Sequence, residues 1–199
     1  MESLKKLNDR ITSLIDTIDT SAFHEHLTLV GTGQIQEIFE LSERPNGYYR
    51  WINAYVALKK PKQVVELGAA AGISTILMAF ANPKTRVVSV DCDPMAWRWM
   101  NREYSNVTKV YGDDLDLSIY PNDVNLSDTD FWFFDSLHTR RQLESELALY
   151  RPFFKKGTIL AFDDIHINEG MNDVWESLPY EKLDISERMH YTGWGIAKV

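Results

Sequence analysis

The sequence predicts an α/β fold: a doubly wound, mostly parallel seven-stranded sheet with an antiparallel C-terminal strand and helices on both faces. Three observations predict it. From Gln63 onward, short apolar runs of strand length alternate with helix-length runs, as right-handed βαβ crossovers require. Each apolar run closes on an aspartate, or on a glycine turn beside an acid, so polar groups collect at one rim of the sheet. The tail "EKLDISERMHYTGWGIAKV" reads as two strands joined by a tight connection, which turns the last one antiparallel.

The elements follow in chain order. Leu4, Leu7, Ile11, Leu14 and Ile18 form one stripe of an N-terminal helix, suited to packing on the domain or on a second copy in a homo-oligomer. "FHEHLTLVGTG" is irregular, and its His24 and His26 stand two apart with no third metal ligand nearby. Pro45 and Gly47 punctuate, and a helix over "YYRWINAYVALKK" runs up to Pro61. Strand "QVVELG" precedes helix "ISTILMAFAN", and strand "RVVSVD" precedes a helix over "PMAWRWMNREY" with Pro94 in its first turn. "VTKVYGD" and "DFWFFD" are the third and fourth strands, "RRQLESELALYRPFF" a helix, "TILAFDD" the fifth strand and "NDVWESL" a short helix.

The 199 residues show no internal repeat, low-complexity tract or linker, so one domain spanning 1–199 is expected, with 1–47 a helical or irregular extension and 48–199 the core. A net charge of −8 offers no basic surface for a phosphate backbone, which argues against nucleic acid as the main partner and against anionic membranes. Cys92 is the only cysteine, the N-terminus lacks the apolar core of a leader, and no window approaches a membrane span; a cytoplasmic location is expected.

The chemistry sits at the rim. In "VVELGAAAGIS", Gly68 and Gly72 allow a sharp turn, and the alanines Ala69, Ala70 and Ala71 keep the loop slim beside a helix start. Asp91, closing the second strand, is placed to accept hydrogen bonds from ribose hydroxyls. Together they point to a nucleoside-containing cofactor. The loop is Gly-x-x-x-Gly and not the nicotinamide Gly-x-Gly-x-x-Gly, and Glu66 precedes it.

This loop with its preceding acid, continued by "VVSVDCDP" and "VYGDD", resembles motif I and its sequel in the class I S-adenosylmethionine-dependent methyltransferases, whose fold is Rossmann-like. The resemblance implies that Glu66, Gly68 and Ser74 surround the methionine part of the cofactor, that Asp91 holds the ribose, and that Asp113 borders the adenine. "VVELGAAAGIST", "FFDSLH" and "TILAFDD" resemble more closely the catechol O-methyltransferase-like branch and related metal-dependent small-molecule O-methyltransferases. That likeness implies a divalent metal held by Asp135, Asp163 and Asp164. The position that carries a lysine base in the catechol enzymes is His138 here, as in sugar and macrolide relatives, which argues against a catechol acceptor.

The residues themselves agree with this assignment. Adjacent Asp163 and Asp164 at the end of an apolar strand repel each other, and a shared cation offsets that cost. Carboxylates converging from two strand ends make an oxygen-only site suited to Mg2+, with Mn2+ or Ca2+ as alternatives. His138 titrates near neutrality and is the expected general base for a small-molecule hydroxyl, with His166 as its rival. Arg140 and Arg141 are candidates to balance the acids, "NEGMND" for a lid, and Trp175 for a face against the acceptor. A metal-independent methyltransferase using His138 alone, a non-catalytic cofactor- or nucleotide-binding protein and a nicotinamide oxidoreductase are the competing readings.

Overall fold

The strand order is β3-β2-β1-β4-β5-β7-β6 in a computed structural model that describes residues 2–15, 17–18 and 47–199. His24 and His26 lie outside those residues. The strands are β1 (Gln63–Leu67), β2 (Arg86–Asp91), β3 (Val107–Tyr111), β4 (Thr129–Phe134), β5 (Ile159–Asp163), β6 (Glu181–Asp184) and β7 (Trp194–Lys198). Only β7 runs against its neighbours, pairing antiparallel with β5 and β6. The predicted mixed sheet is therefore the observed one.

The order has a functional consequence. After β1 the chain builds outward through β2 and β3, then returns to lay β4 on the other side of β1. Chain direction thus switches between β1 and β4, where the following loops part and leave a crevice. In that register Leu67 stands beside both Val90 and Phe134, so the residues just beyond them, Gly68 and Asp135, meet at the crevice.

The helices are α1 (Leu4–Ile15), α2 (Gly47–Lys59), α3 (Ile73–Ala81), α4 (Arg140–Tyr150), α5 (Glu169–Ser177) and α6 (Ser186–Met189). Side chains alternate across a strand, so β1 sends Val64 to one layer and Val65 to the other. The first layer packs Val64, Val87, Phe131 and Phe133 under α1, α2 and α3. The second packs Val65, Trp132, Phe134 and Phe162 under α4 and α5. Burial on both faces explains why β1, β2, β4 and β5 read as nearly unbroken apolar runs, which the edge strands β3 and β6 do not.

Three local predictions change. The stripe of α1 is Leu4, Leu7, Ile11 and Ile15, while Leu14 is turned outward; steps of three and four track a 3.6-residue turn better this way. That stripe packs on α2 of the same chain, where Trp51 Nε1 donates to Asn8 Oδ1 at 2.8 Å. The helix expected over Pro94–Tyr104 does not form, and the segment is a run of turns. Its backbone is diverted to the glycine loop: Trp97 N donates to Ala70 O at 2.8 Å and Trp99 N to Ala71 O at 3.1 Å. Finally, β6 and β7 are joined through α6 and a turn at Gly193, longer than a tight connection. Among the described residues no helix is long and apolar enough to cross a membrane.

Candidate active site

The loop after β1 is shaped by what it must touch. Gly68 has φ +89°, and a Cβ there would stand 2.0 Å from the Asp135 carbonyl oxygen, so no larger residue fits. Ala70 also adopts a left-handed φ of +43°. It is held there by Asp91, whose Oδ2 accepts from Ala69 N at 2.9 Å and Ala70 N at 2.7 Å. Asp91 Oδ1 accepts from Asp93 N at 2.7 Å. The acid expected to meet ribose hydroxyls thus also braces the loop.

Glu66 plays its part from below. It is wholly buried and accepts from the hydroxyls of Ser74, Thr75 (2.6 Å) and Ser89 (2.6 Å). Burial raises its pKa, and the three hydroxyls partly offset that. Glu66 therefore supports the loop and the start of α3 and lines neither neighbouring cavity. Ser74 does face a cavity but spends its hydroxyl on Glu66. Gly72 caps α3 at φ +91° and packs against Met100.

Two cavities flank the loop. The larger, about 570 Å³, is lined by Gly68, Asp91, Gly112, Asp113, Asp135 and Gln142 among others. The smaller, about 290 Å³, is lined by Tyr49, Ala69, Ser74, Arg98, Trp99 and Asp135 with the loop's other residues. Asp135 and Ala70 border both. A third cavity of about 610 Å³, between α1 and α6, contains none of the rim acids predicted from sequence.

The three predicted metal ligands come together, and two histidines come with them. His138 Nδ1 is 2.8 Å from Asp164 Oδ2, and its Nε2 is 3.3 Å from Asp135 Oδ1. His190 Nδ1 lies 3.1 Å from Asp163 Oδ1 and 3.3 Å from Asp164 Oδ1. Adjacent residues of a strand point to opposite faces, so "DD" alone does not bring two acids together. Asp164 does so by leaving the strand with φ +58°, its N–H on Gly193 O at 2.9 Å and its carboxylate accepting from Thr192. Strain of this kind needs surrounding contacts to hold it, and these supply them.

The electrostatics follow from crowding. Burial and the charge of Asp163 push Asp135 well above the usual carboxylate range. Burial opposes charge on Asp164, but His138, His190 and Thr192 hold its carboxyl well below that range. Burial disfavours the charged form of His138, yet bonds to Asp135 and Asp164 outweigh it and push its pKa up to about 10. His190 goes to about 9 against the same burial, through Asp163 and Asp164.

The cluster suits a cation. One atom from each of Asp135, His138 and Asp163, and one from each of Asp163, Asp164 and His190, lie within 4.8 Å of one another. Asp163 is only 4% exposed, and its Oδ1 lacks a hydrogen bond of acceptable geometry. Its one polar neighbour of opposite character is His190, so the oxygen is open to a cation that displaces that ring. Imidazole nitrogens stand beside the carboxylates of the oxygen-only site expected from sequence, and a ring that gave up its proton would suit Mn2+ as well as Mg2+.

His190 was not legible in the sequence. It belongs to no strand-end motif and reaches the acids only because β7 lies antiparallel on β5. A second unforeseen group is Glu146, buried in α4, whose pKa is pushed up to about 8 by burial and by Asp114. Gln142 Nε2 links the two, donating to Asp114 at 2.7 Å and Glu146 at 3.0 Å.

Other expectations fall away. His166 is held by Asp184 at 2.7 Å and Asn172 at 3.0 Å, away from the acid cluster, and is no rival to His138. Arg140 pairs with Asp173 and not with the rim acids. Trp175 is 2% exposed and packs edge-on against Phe162, so it presents no face to an acceptor. "NEGMND" is no free lid: Asn168 caps α5 through Met171 N and ties to His138 O at 2.9 Å.

A family described as "Methyltransferase domain" matches residues 65–165, half of the chain. No curated protein matches. Among solved structures, a Staphylococcus aureus protein proposed to be a caffeoyl-CoA O-methyltransferase superposes with TM-score 0.64 at 16% identity, over 95% of this chain and 98% of that one. A Bacillus cereus O-methyltransferase in complex with SAH gives TM-score 0.61 at 17% identity, over 98% of this chain and 99% of that one. Aeropyrum pernix fibrillarin with natively bound S-adenosyl-L-methionine gives 0.54 at 18% identity, over 70% of this chain and 66% of that one. At such identities the likeness establishes the fold.

Proposed function

The chain belongs to the methyltransferase-domain family, and on that premise we propose that it transfers the methyl group of S-adenosylmethionine to a hydroxyl of a small molecule, assisted by a divalent cation. The observation that carries this reading is the meeting of Asp135, Asp163, Asp164 and His138 at the mouth of the crevice, against the glycine loop.

S-Adenosylmethionine supplies an electrophilic methyl on a sulfonium. The larger cavity, with Asp91 and Asp113 on its wall, suits the adenosine part. Asp135 stands where the cavities join and favours positive charge there. A divalent cation held by Asp135, Asp163 and Asp164 would polarise and orient the acceptor hydroxyl. His138 is the proton acceptor, its ring fixed by Asp164. It can accept only after giving up the proton that Asp135 and Asp164 now hold on it, so the charge of the acids must first be compensated. Holding oxygen and methyl in near-attack geometry supplies much of the rate. The acidic net charge supports a small acceptor over nucleic acid.

Methyl transfer from labelled S-adenosylmethionine to a panel of hydroxyl compounds, with and without excess EDTA, tests both parts. Binding of NAD but not of S-adenosylmethionine would overturn the reading. Full activity in EDTA would remove the metal and favour a second reading, for which His138 already bridging Asp135 and Asp164 speaks: an imidazolium there balances the acids unaided.

A further inference from the structure

We infer that Arg98 binds the carboxylate of the amino-acid end of S-adenosylmethionine, in the smaller cavity on the far side of the glycine loop. This rests on the cofactor reading above and adds to it the residue that recognises the cofactor's only acidic group.

The argument begins with charge. The larger cavity carries Asp91, Asp93, Asp113, Asp114 and Asp135 and no cationic side chain on its wall. Such a wall accepts from ribose hydroxyls and an adenine amine but repels a carboxylate. The smaller cavity has one cation, Arg98, and one acid, Asp135. Arg98 and the Asp135 carboxyl, on a wall shared with Ala69, Tyr49 and Trp99, offer one partner each to the carboxylate and the ammonium of a zwitterion. Because Asp135 borders both cavities, a molecule laid along the crevice passes its centre beside this acid. Its ends are then sorted by charge: adenosine one way, amino acid the other.

Arg98 is built into place. It lies in the segment that fails to become a helix, between Trp97 and Trp99, whose N–H groups are both spent on the loop carbonyls of Ala70 and Ala71. Trp97 turns the chain there with φ +58° and anchors its indole on Ser89 Oγ at 2.8 Å, which in turn donates to buried Glu66. The guanidinium lies over the Trp99 ring at 5.5 Å and makes one long bond to Met95 O, 3.4 Å. Among the described residues no carboxylate pairs with it. A planar fork beside a cavity, stacked on an aromatic face, is the arrangement that grips a carboxylate through two parallel bonds.

The test compares two ligands on two proteins by calorimetry. S-Adenosylhomocysteine carries the amino-acid end, and 5′-methylthioadenosine lacks it. Arg98→Ala should weaken S-adenosylhomocysteine about 10-fold, as loss of a charge-assisted bond does, and leave 5′-methylthioadenosine unchanged. Arg98→Lys should recover part of the loss. Unchanged affinity for S-adenosylhomocysteine, or an equal loss for both ligands, overturns the assignment. Failure of the unaltered protein to bind either ligand overturns the cofactor reading itself, a distinct result. Thermal melting of each variant shows whether the exposed substitution has left the fold intact.

Discussion

The backbone of Gly68 presses against that of Asp135: a methyl group on Gly68 would stand 2.0 Å from the Asp135 carbonyl oxygen. The glycine loop and the first acid of the cluster are thus fixed relative to one another by main chain, across the point where the sheet reverses its order. Gly68→Ala should cost about 2 kcal/mol or more, from overpacking and a left-handed alanine, and should weaken S-adenosylhomocysteine binding. Gly72→Ala shares the positive φ but meets the flexible Met100 side chain at 2.8 Å, so urea denaturation should show a smaller loss.

His138→Ala and Asp163→Asn separate base from ligand. Removal of a general base costs about 10²- to 10⁴-fold in kcat. His138→Ala should do this with affinity for S-adenosylhomocysteine unchanged. Asp163→Asn should abolish cation binding, read by Mn2+ titration with electron paramagnetic resonance, because Asp163 belongs to both groups of converging ligand atoms and an amide removes its charge. Tight Mn2+ binding by Asp163→Asn would sink the metal site.

Cation binding should release protons. With His138 at about 10 and His190 at about 9, both rings are protonated at pH 8. A cation on the shared carboxylates removes the cause of those shifts, so about one proton or more should leave per ion, and affinity should rise with pH up to pH 9–10. Calorimetry in buffers of different ionisation enthalpy reads the count. His190→Gln should reduce it, and a count of zero contradicts the arrangement.

Stability should fall with pH through Glu146. A carboxyl whose folded pKa exceeds its unfolded value binds more protons when folded. Its contribution is therefore complete below its ordinary value of 4.5 and is lost as the pH rises to about 8. Between pH 6 and pH 9 the Tm of the unaltered protein should drop about 5 °C more than that of Glu146→Gln, whose neutral amide cannot ionise. Parallel melting curves would show that Glu146 is not held protonated.

Much of this site was legible beforehand, for reasons that particular residues make clear. Apolar runs such as "TILAF" announce strands buried on both faces, and the acids closing them announce the rim, because burial and turn chemistry are local properties of the chain. Asp135, Asp163, Asp164 and His138 were expected together on these grounds and on family resemblance, and the fold brings all four close. His190 was not, because its approach depends on β7 folding back on β5.

The sequence by itself determined the alternating α/β order, the slim glycine loop and the acidic rim. Only the tertiary structure decided that Asp164 turns to φ +58° and faces the same way as Asp163, that Asp91 and Glu66 brace the loop, and that Pro94–Tyr104 gives up a helix to bond the loop's carbonyls. Periodicity records which side chains leave water. It does not record where a backbone N–H or a carboxylate finds a partner far along the chain, and those partners set the geometry of this site.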